Sequence, residues 1–310
     1  MGCFRVILPA IQASGNRQCR LGREREEMTG QLHIGVLVER RYLAQAEPAG
    51  VSAALRARGH HVTMIDPQAV SYEMGNDGWL NGLDLVIGRG RSWALLCLLA
   101  WSEAQGVMTM NRRASIAGVH NKAEMAVALA AGRVPTPETH FGSVDRLARD
   151  VADANFPLIL KPIFGDNCQG LRIVRTREGL AGTQWSEPVA LAQSFLPGNG
   201  YDLKLYGIGD EIWAVRKPSP LFRGSLTSSD ESNGDSSRAE LLQTTPALQE
   251  LGRRCGALFG LELFGVDCIQ TSDGPYVIEV NEFPNYTGVP DAGERLADYV
   301  VRRAREESEA

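Results

Sequence analysis

Short apolar runs alternate with amphipathic stretches through the first part of the chain. Leu32–Glu39 (LHIGVLVE), His61–Ile65 and Leu83–Ile87 are runs of strand length rich in β-branched residues. Ala46–Arg58, closed by Gly59, and Trp93–Glu103 carry helical patterning. Strands alternating with helices of this length predict a parallel, doubly wound α/β sheet over residues 31–113. The pattern then changes. Asn121–Ala131 is an Ala-rich helix stopped by Gly132 and Pro135-Thr136-Pro137, and Leu158–Pro162, Leu171–Val174 and Val189–Phe195 are strands, so 114–190 is expected to be a small α+β lobe. A second α+β lobe follows over 191–310. Leu203–Ile208 and Glu211–Lys217 join through the Gly209-Asp210 turn, and Pro246–Phe259 is a helix.

The segment 218–238 is rich in Ser, Gly and Asp, and a loop of that length inside a compact lobe is expected to act as a mobile lid. A final hairpin pairs Phe264–Gln270 with Tyr276–Asn281. Asp267 opposes Glu279 if the pairing centres on Asp273 through a three-residue loop, Ser272-Asp273-Gly274, with Gly274 in the left-handed position. Residues 1–30 are polar after a feeble apolar start, and the expectation is a disordered extension or an early start codon. No internal repeat is visible.

Composition removes several function classes. The net charge of −5 argues against a nucleic-acid surface, and 44% hydrophobic with 22% charged residues is ordinary for a soluble globular protein. The run Trp93–Trp101 is too short to span a bilayer. Met1-Gly2-Cys3 begins as acylation signals do, but Val6 stands where Ser or Thr is needed. The six cysteines form no CxxC and no Cys/His cluster, which points away from zinc or disulfides and toward a reduced, cytoplasmic setting.

Three constellations carry candidate chemistry. Lys161 ends a buried strand just before a loop bounded by Gly165 and Gly170; the glycines let backbone N–H groups approach phosphate oxygens while the ammonium supplies a point charge. Alone, the pattern also describes a surface lysine beside a turn. In the last hairpin, Glu279 and Asn281 share a face with Asp267 opposite, a set of hard oxygen donors that suits Mg²⁺ with nucleotide phosphates. The plainer alternative is the polar side of an amphipathic hairpin, against which Val277 is counted at the parity of Glu279. Asp202 and Lys204 share a strand face, where Lys204 could meet a γ-phosphate; on a lone hairpin they would be an exposed ion pair. Arg89 and Arg91 follow a strand of the first sheet at its carboxyl edge, as grips for an acidic substrate or as solvated loop arginines. His60 and His61 read as structural.

In this order, these pieces resemble the ATP-grasp superfamily over residues 32–300. Asn111, Lys122 and the loop from Lys161 to Gly170 resemble RimK-type ligases, which join amino acids to carboxylates. Lys204-Leu205-Tyr206, Lys217-Pro218-Ser219 and Phe283–Val289 resemble inositol-phosphate kinases of the same fold. The resemblance implies that Lys122 and Lys161 hold ATP phosphates and that Gln193, Ser194, Phe195 and Leu196 form the adenine hinge. It places Asp202 near the ribose, Lys204 near the transferred phosphate, and Asp267, Glu279 and Asn281 on Mg²⁺, with Mn²⁺ able to replace it. Lys204 stands where RimK-type ligases usually carry arginine, and Phe222-Arg223-Gly224-Ser225 lacks their Ser-Asn. The implied activity is an ADP-forming ligase acting on a small-molecule or peptide carboxylate and an amino-acid amine, with Lys204 at the transferred phosphate; Arg89, from its place at the sheet edge, is the candidate catalytic grip on the acidic substrate. A kinase and a non-catalytic nucleotide-binding regulator are the alternatives.

Overall fold

The structure, a computed structural model, describes residues 30–165, 170–219 and 239–309. Its first sheet is built from β1 (His33–Val38), β2 (His61–Ile65), β3 (Leu85–Arg89) and β4 (Met108–Met110), all parallel, in the order β2-β1-β3-β4. The crossovers are α1 (Ala46–Ala57) and α2 (Trp93–Ala104), with α3 (Arg113–His120) following β4. Ser92 caps α2 by accepting from the Leu95 N–H. Strand β1 reads as an unbroken apolar run because both its faces are buried. Ile34 and Val36 face α1 in one core, whereas Leu37 meets Leu95, Leu99 and Ile116 in another.

The middle sheet is antiparallel. After α4 (Lys122–Ala131) come β5 (Thr139–Gly142), α5 (Val144–Asp150), β6 (Leu158–Lys161), β7 (Arg172–Val174), α6 (Arg177–Ala181) and β8 (Ala190–Ser194), with strand order β5-β8-β6-β7. Leu158, Leu160, Ala190 and Ala192 close a separate core against α5 and Leu180. The strand at Val189–Phe195, which a boundary at residue 190 divides, lies whole in this sheet because its partners are β5 and β6.

Five antiparallel strands make the third sheet: β9 (Tyr201–Ile208), β10 (Glu211–Pro218), β11 (Glu240–Leu242), β12 (Leu263–Thr271) and β13 (Gly274–Glu282), in the order β11-β10-β9-β12-β13. Helices α4 and α7 (Pro246–Phe259) bury Met125, Leu129, Leu251 and Cys255 against Leu203, Leu205, Val266 and Cys268. The opposite face, through Tyr206 and Ile208, joins the core of the first sheet, together with α8 (Ala292–Glu309). Most of the segment 218–238, Phe222–Ser225 included, lies outside the described residues, as do the Asp166–Gln169 part of the glycine loop and residues 1–29.

Candidate active site

The last hairpin departs from its expected turn. It closes with two residues, Ser272-Asp273, between paired Thr271 and Gly274, and Gly274 takes a positive φ of 115°. Continued regularly, that register would set Asp267 against Ile278. A bulge intervenes: Cys268 pairs with Val277 and Asp267 with Glu279, so Ile278 is the extra residue. The expected Asp267–Glu279 pairing is therefore reached by a different device. The bulge also corrects the parity of Val277, which lies in the core with Cys268 and Val280 rather than on the face of Glu279.

Register extends the pair into a row. Lys204 of β9 opposes Asp267 of β12, which opposes Glu279 of β13, and opposed residues share a face. Lys204 Nζ lies 3.2 Å from Asp267 Oδ1. Asn281 donates from Nδ2 to Asp267 Oδ2 at 3.2 Å. From the first turn of α4, Lys122 Nζ reaches Glu279 Oε1 at 2.5 Å. Asp202 sits two positions before Lys204; burial pushes its carboxyl up, a bond to Ser219 opposes this, and Asp267 adds to the rise.

Beside the row lies a cleft between the middle and third sheets. Lys161, Leu191 and Gln193 line one wall, and Lys122, Ile278 and Glu279 are among those lining the other. Lys161 Nζ donates to Gln193 Oε1 at 2.5 Å, both side chains buried, and Gln193 Nε2 donates to Thr139 Oγ1 at 3.2 Å. Ser194, Phe195 and Leu196 are not among the lining residues; the N–H groups of Ser194 and Phe195 bond the carbonyls of Glu138 and Pro157. Gly170 has φ of 76°, and a Cβ there would lie 3.3 Å from Pro162, so this end of the loop favours glycine.

The two arginines diverge. Arg89 is buried, stacks 4.1 Å over the Tyr42 ring and donates to Gln45 Oε1 at 2.8 Å. Arg91 crosses from the first sheet to the row, donating from Nε to Glu282 Oε1 at 3.1 Å and from Nη2 to Asn281 Oδ1 at 2.5 Å. Glu282 is fully buried, and His120 Nε2 lies 3.6 Å from its Oε1. Burial alone would push the Glu282 carboxyl up, but Arg91, then His120 and Arg89, hold it down at about 2. Sequence reasoning singled out neither Glu282 nor His120. The one available signal was a charged residue wedged between Asn281 and an apolar Phe283. Asn111 is buried and ties the end of β4 in the first sheet to the start of β12 in the third, accepting from the Glu262 and Leu263 N–H groups and donating to the Leu263 carbonyl. His60 accepts from the Leu32 N–H, a structural role.

Among the described residues no cluster of three His, Cys, Asp or Glu side chains is present. Asp267, Glu279 and Asn281 offer two carboxylates and an amide, which suits an ion that completes its shell from nucleotide phosphates rather than from protein. An oxygen-rich floor, with lysines facing it from both walls of a cleft between two antiparallel lobes, is an arrangement able to take a phosphate chain together with its counter-ion. Residues 119–287, more than half of the chain, match the family model described as ATP-grasp domain, and the protein belongs to that family. A probable alpha-L-glutamate ligase of Maridesulfovibrio salexigens is 25% identical over 88% of this chain and 97% of its own length. Two solved structures share the fold. A RimK domain ATP-grasp protein of Sphaerobacter thermophilus has a TM-score of 0.65 at 20% identity, covering 87% of this chain and 99% of its own. The ATP-grasp ligase PsnB, complexed with minimal precursor, Mg and ADP, has a TM-score of 0.65 at 19% identity, covering 88% and 98%.

The chain is thus an ATP-grasp ligase. The likeness to inositol-phosphate kinases finds no support in these comparisons. One of its three carriers, Phe283–Val289, is packing: Phe283 and Tyr286 are buried, and Tyr286 donates to the Gly207 carbonyl at 2.8 Å. No helix among the described residues is long and apolar enough to cross a membrane.

Proposed function

We propose that the protein uses Mg-ATP to convert an acceptor carboxylate to an acylphosphate, which the amine of an amino acid then opens to an amide. The attacking carboxylate oxygen forms a bond to the γ-phosphorus as ADP leaves; the amine nitrogen then displaces phosphate and loses a proton. The observation that carries this reading is the row Lys204–Asp267–Glu279, with Lys122 at its far end. Lysines and acidic oxygens interleaved at one cleft can neutralise a phosphate chain and hold its counter-ion together, as phosphoryl transfer requires.

In this reading Lys122 and Lys161 bind phosphates, Lys204 meets the transferred group, and the wall at Leu191 and Gln193 takes the base, with Ser194–Leu196 beyond it as hinge. Asp202 lies on the sugar side. Asp267, Glu279 and Asn281 would hold Mg²⁺, or Mn²⁺, whose charge when bound offsets that developing on the phosphate oxygens. The amino-acid substrate is taken from the name of the glutamate ligase relative, and a peptide as the carboxylate from the precursor bound by PsnB. Arg89 is buried against Tyr42, so its part is to bias the first sheet toward an acidic substrate by charge. Consumption of ATP fits a cytoplasmic enzyme, as do the free thiols of Cys97, Cys255 and Cys268 among the described residues.

The test is chemical trapping. With ATP, Mg²⁺ and pooled carboxylates, hydroxylamine should yield a hydroxamate and free phosphate, because a strong nucleophile intercepts an acylphosphate. Phosphate retained on a product, with no hydroxamate, would sink the acylphosphate and point to a kinase.

A further inference from the structure

Each donor of the row is met by one cation, and each cation comes from a different element. Lys204 of β9 meets Asp267, Lys122 of α4 meets Glu279, and Arg91 meets Asn281. The two lysines are explained by nucleotide phosphates in the function proposed above. Arg91 is not. It follows β3 of the first sheet, 190 residues from Asn281 in sequence, and its side chain is only 14% exposed.

The geometry leaves little freedom. A guanidinium only donates and an ionised carboxylate only accepts, so Asn281 must turn its oxygen to Arg91 and its nitrogen to Asp267. One prong of Arg91 is anchored by Nε on the buried Glu282 carboxylate. The backbone beneath is pinned as well, since the N–H groups of Arg91 and Ser92 both donate to Glu39 Oε1. The other prong is thereby presented to Asn281 Oδ1, the oxygen a divalent ion would use.

We propose that Arg91 competes with the divalent ion for the Asn281 oxygen of the metal donor set. This rests on the metal reading of Asp267, Glu279 and Asn281. A carbonyl oxygen has two lone pairs, but two cations held at one oxygen repel each other. An arriving ion therefore weakens the Arg91 contact and leaves that prong at the carboxyl edge of the first sheet, where open parallel sheets take their ligands. Ion and anionic substrate then favour one another's binding through one side chain.

The experiment is Mn²⁺ binding to the whole protein without nucleotide, followed by the electron paramagnetic resonance of free Mn²⁺. The double variant Arg91→Met/Glu282→Gln removes one charge of each sign, so the net charge is kept and neither member of the Arg91–Glu282 pair is left without the other. It should bind Mn²⁺ about tenfold more tightly, the size expected when one charge-assisted competitor is removed. A merely structural role predicts the reverse, because a loosened Asn281 binds metal worse. Unchanged or weaker binding, with a cooperative thermal transition retained, overturns the proposal. If the double variant does not fold, Arg91→Lys decides: it keeps charge beside Glu282 without the fork, and must also bind Mn²⁺ more tightly. Glu279→Gln separates the two readings. If it leaves Mn²⁺ binding by the parent protein intact, the metal assignment itself falls, and the role of Arg91 with it.

Discussion

Changing Glu279 to Gln removes a charge at nearly constant shape and leaves the Lys122 ammonium facing a neutral amide. Mg-dependent ATP turnover should fall about a thousandfold or more, with a cooperative thermal transition retained but lowered, since the buried Lys122 loses its carboxylate partner. Turnover within about tenfold of the parent would take Glu279 out of the site. Lys161→Ala deletes a buried cation whose partner is Gln193, and it should weaken binding of a non-hydrolysable ATP analogue about ten- to a hundredfold, read by calorimetry. Two buried glutamates set opposite pH limits. Glu282 is held at about 2 in the fold, so its stabilisation is present above the unfolded value of 4.5 and is lost as pH falls from there toward 2. Glu47 is pushed up to about 7 by burial, against a bond from the Val51 N–H. Its contribution is therefore greatest below pH 4.5 and disappears as pH rises through 7. Glu47→Gln should stabilise the protein by about 2–3 kcal/mol at pH 8 and far less at pH 5, measured by urea unfolding.

The bulge in β13 shows what an element contributes beyond its residues. Its extra residue, Ile278, lines the cleft, whereas regular pairing would have spent that position opposite Asp267. Ile278→Ala should weaken nucleotide-analogue binding about fivefold, the worth of a few buried methyl groups, and leave Mn²⁺ binding unchanged. Equal loss of both would mean that the bulge shapes the metal row as well. Much at this scale was legible. The apolar runs at β1 and β3 and the Gly-Asp turn between β9 and β10 stand where period and turn chemistry put them. Strands β4 and β11 are three residues each, too short for alternation to declare itself. Helix α8 escaped because its buried positions, Leu296, Ala297, Val300 and Ala304, are few among many charges. The bulge could not be foreseen: it is fixed by core packing of Val277 and Cys268, and the turn residues alone allow either loop length.

Across the whole molecule the buried cores are unequal partners. One core runs unbroken from Ile34 in the first sheet to Tyr206, Phe283 and Val300, whereas the middle sheet has a core of its own. Arg91 to Asn281 and His120 to Glu282 are pairings between distant parts of the chain, which is why local pattern did not reveal them. The middle sheet should be the part that moves as the cleft closes. Hydrogen exchange in β6 and β8 should slow on adding Mg²⁺ and an ATP analogue, while β1 and β3 stay as they were. Uniform slowing would mean a single rigid body.

The seat of α8 carries a consequence for how the chain is made. Arg58, just past α1, bonds Asp298 across 240 residues of sequence, and a Cβ on Gly293 would lie 2.8 Å from the Gly50 backbone. The first sheet is synthesised early, yet α1, which covers one of its faces, waits for a helix that leaves the ribosome long afterwards. A nascent chain halted before Ala292 should expose Val51 and Leu55 of α1 to proteases and chaperones, although every strand of that sheet is already outside the tunnel.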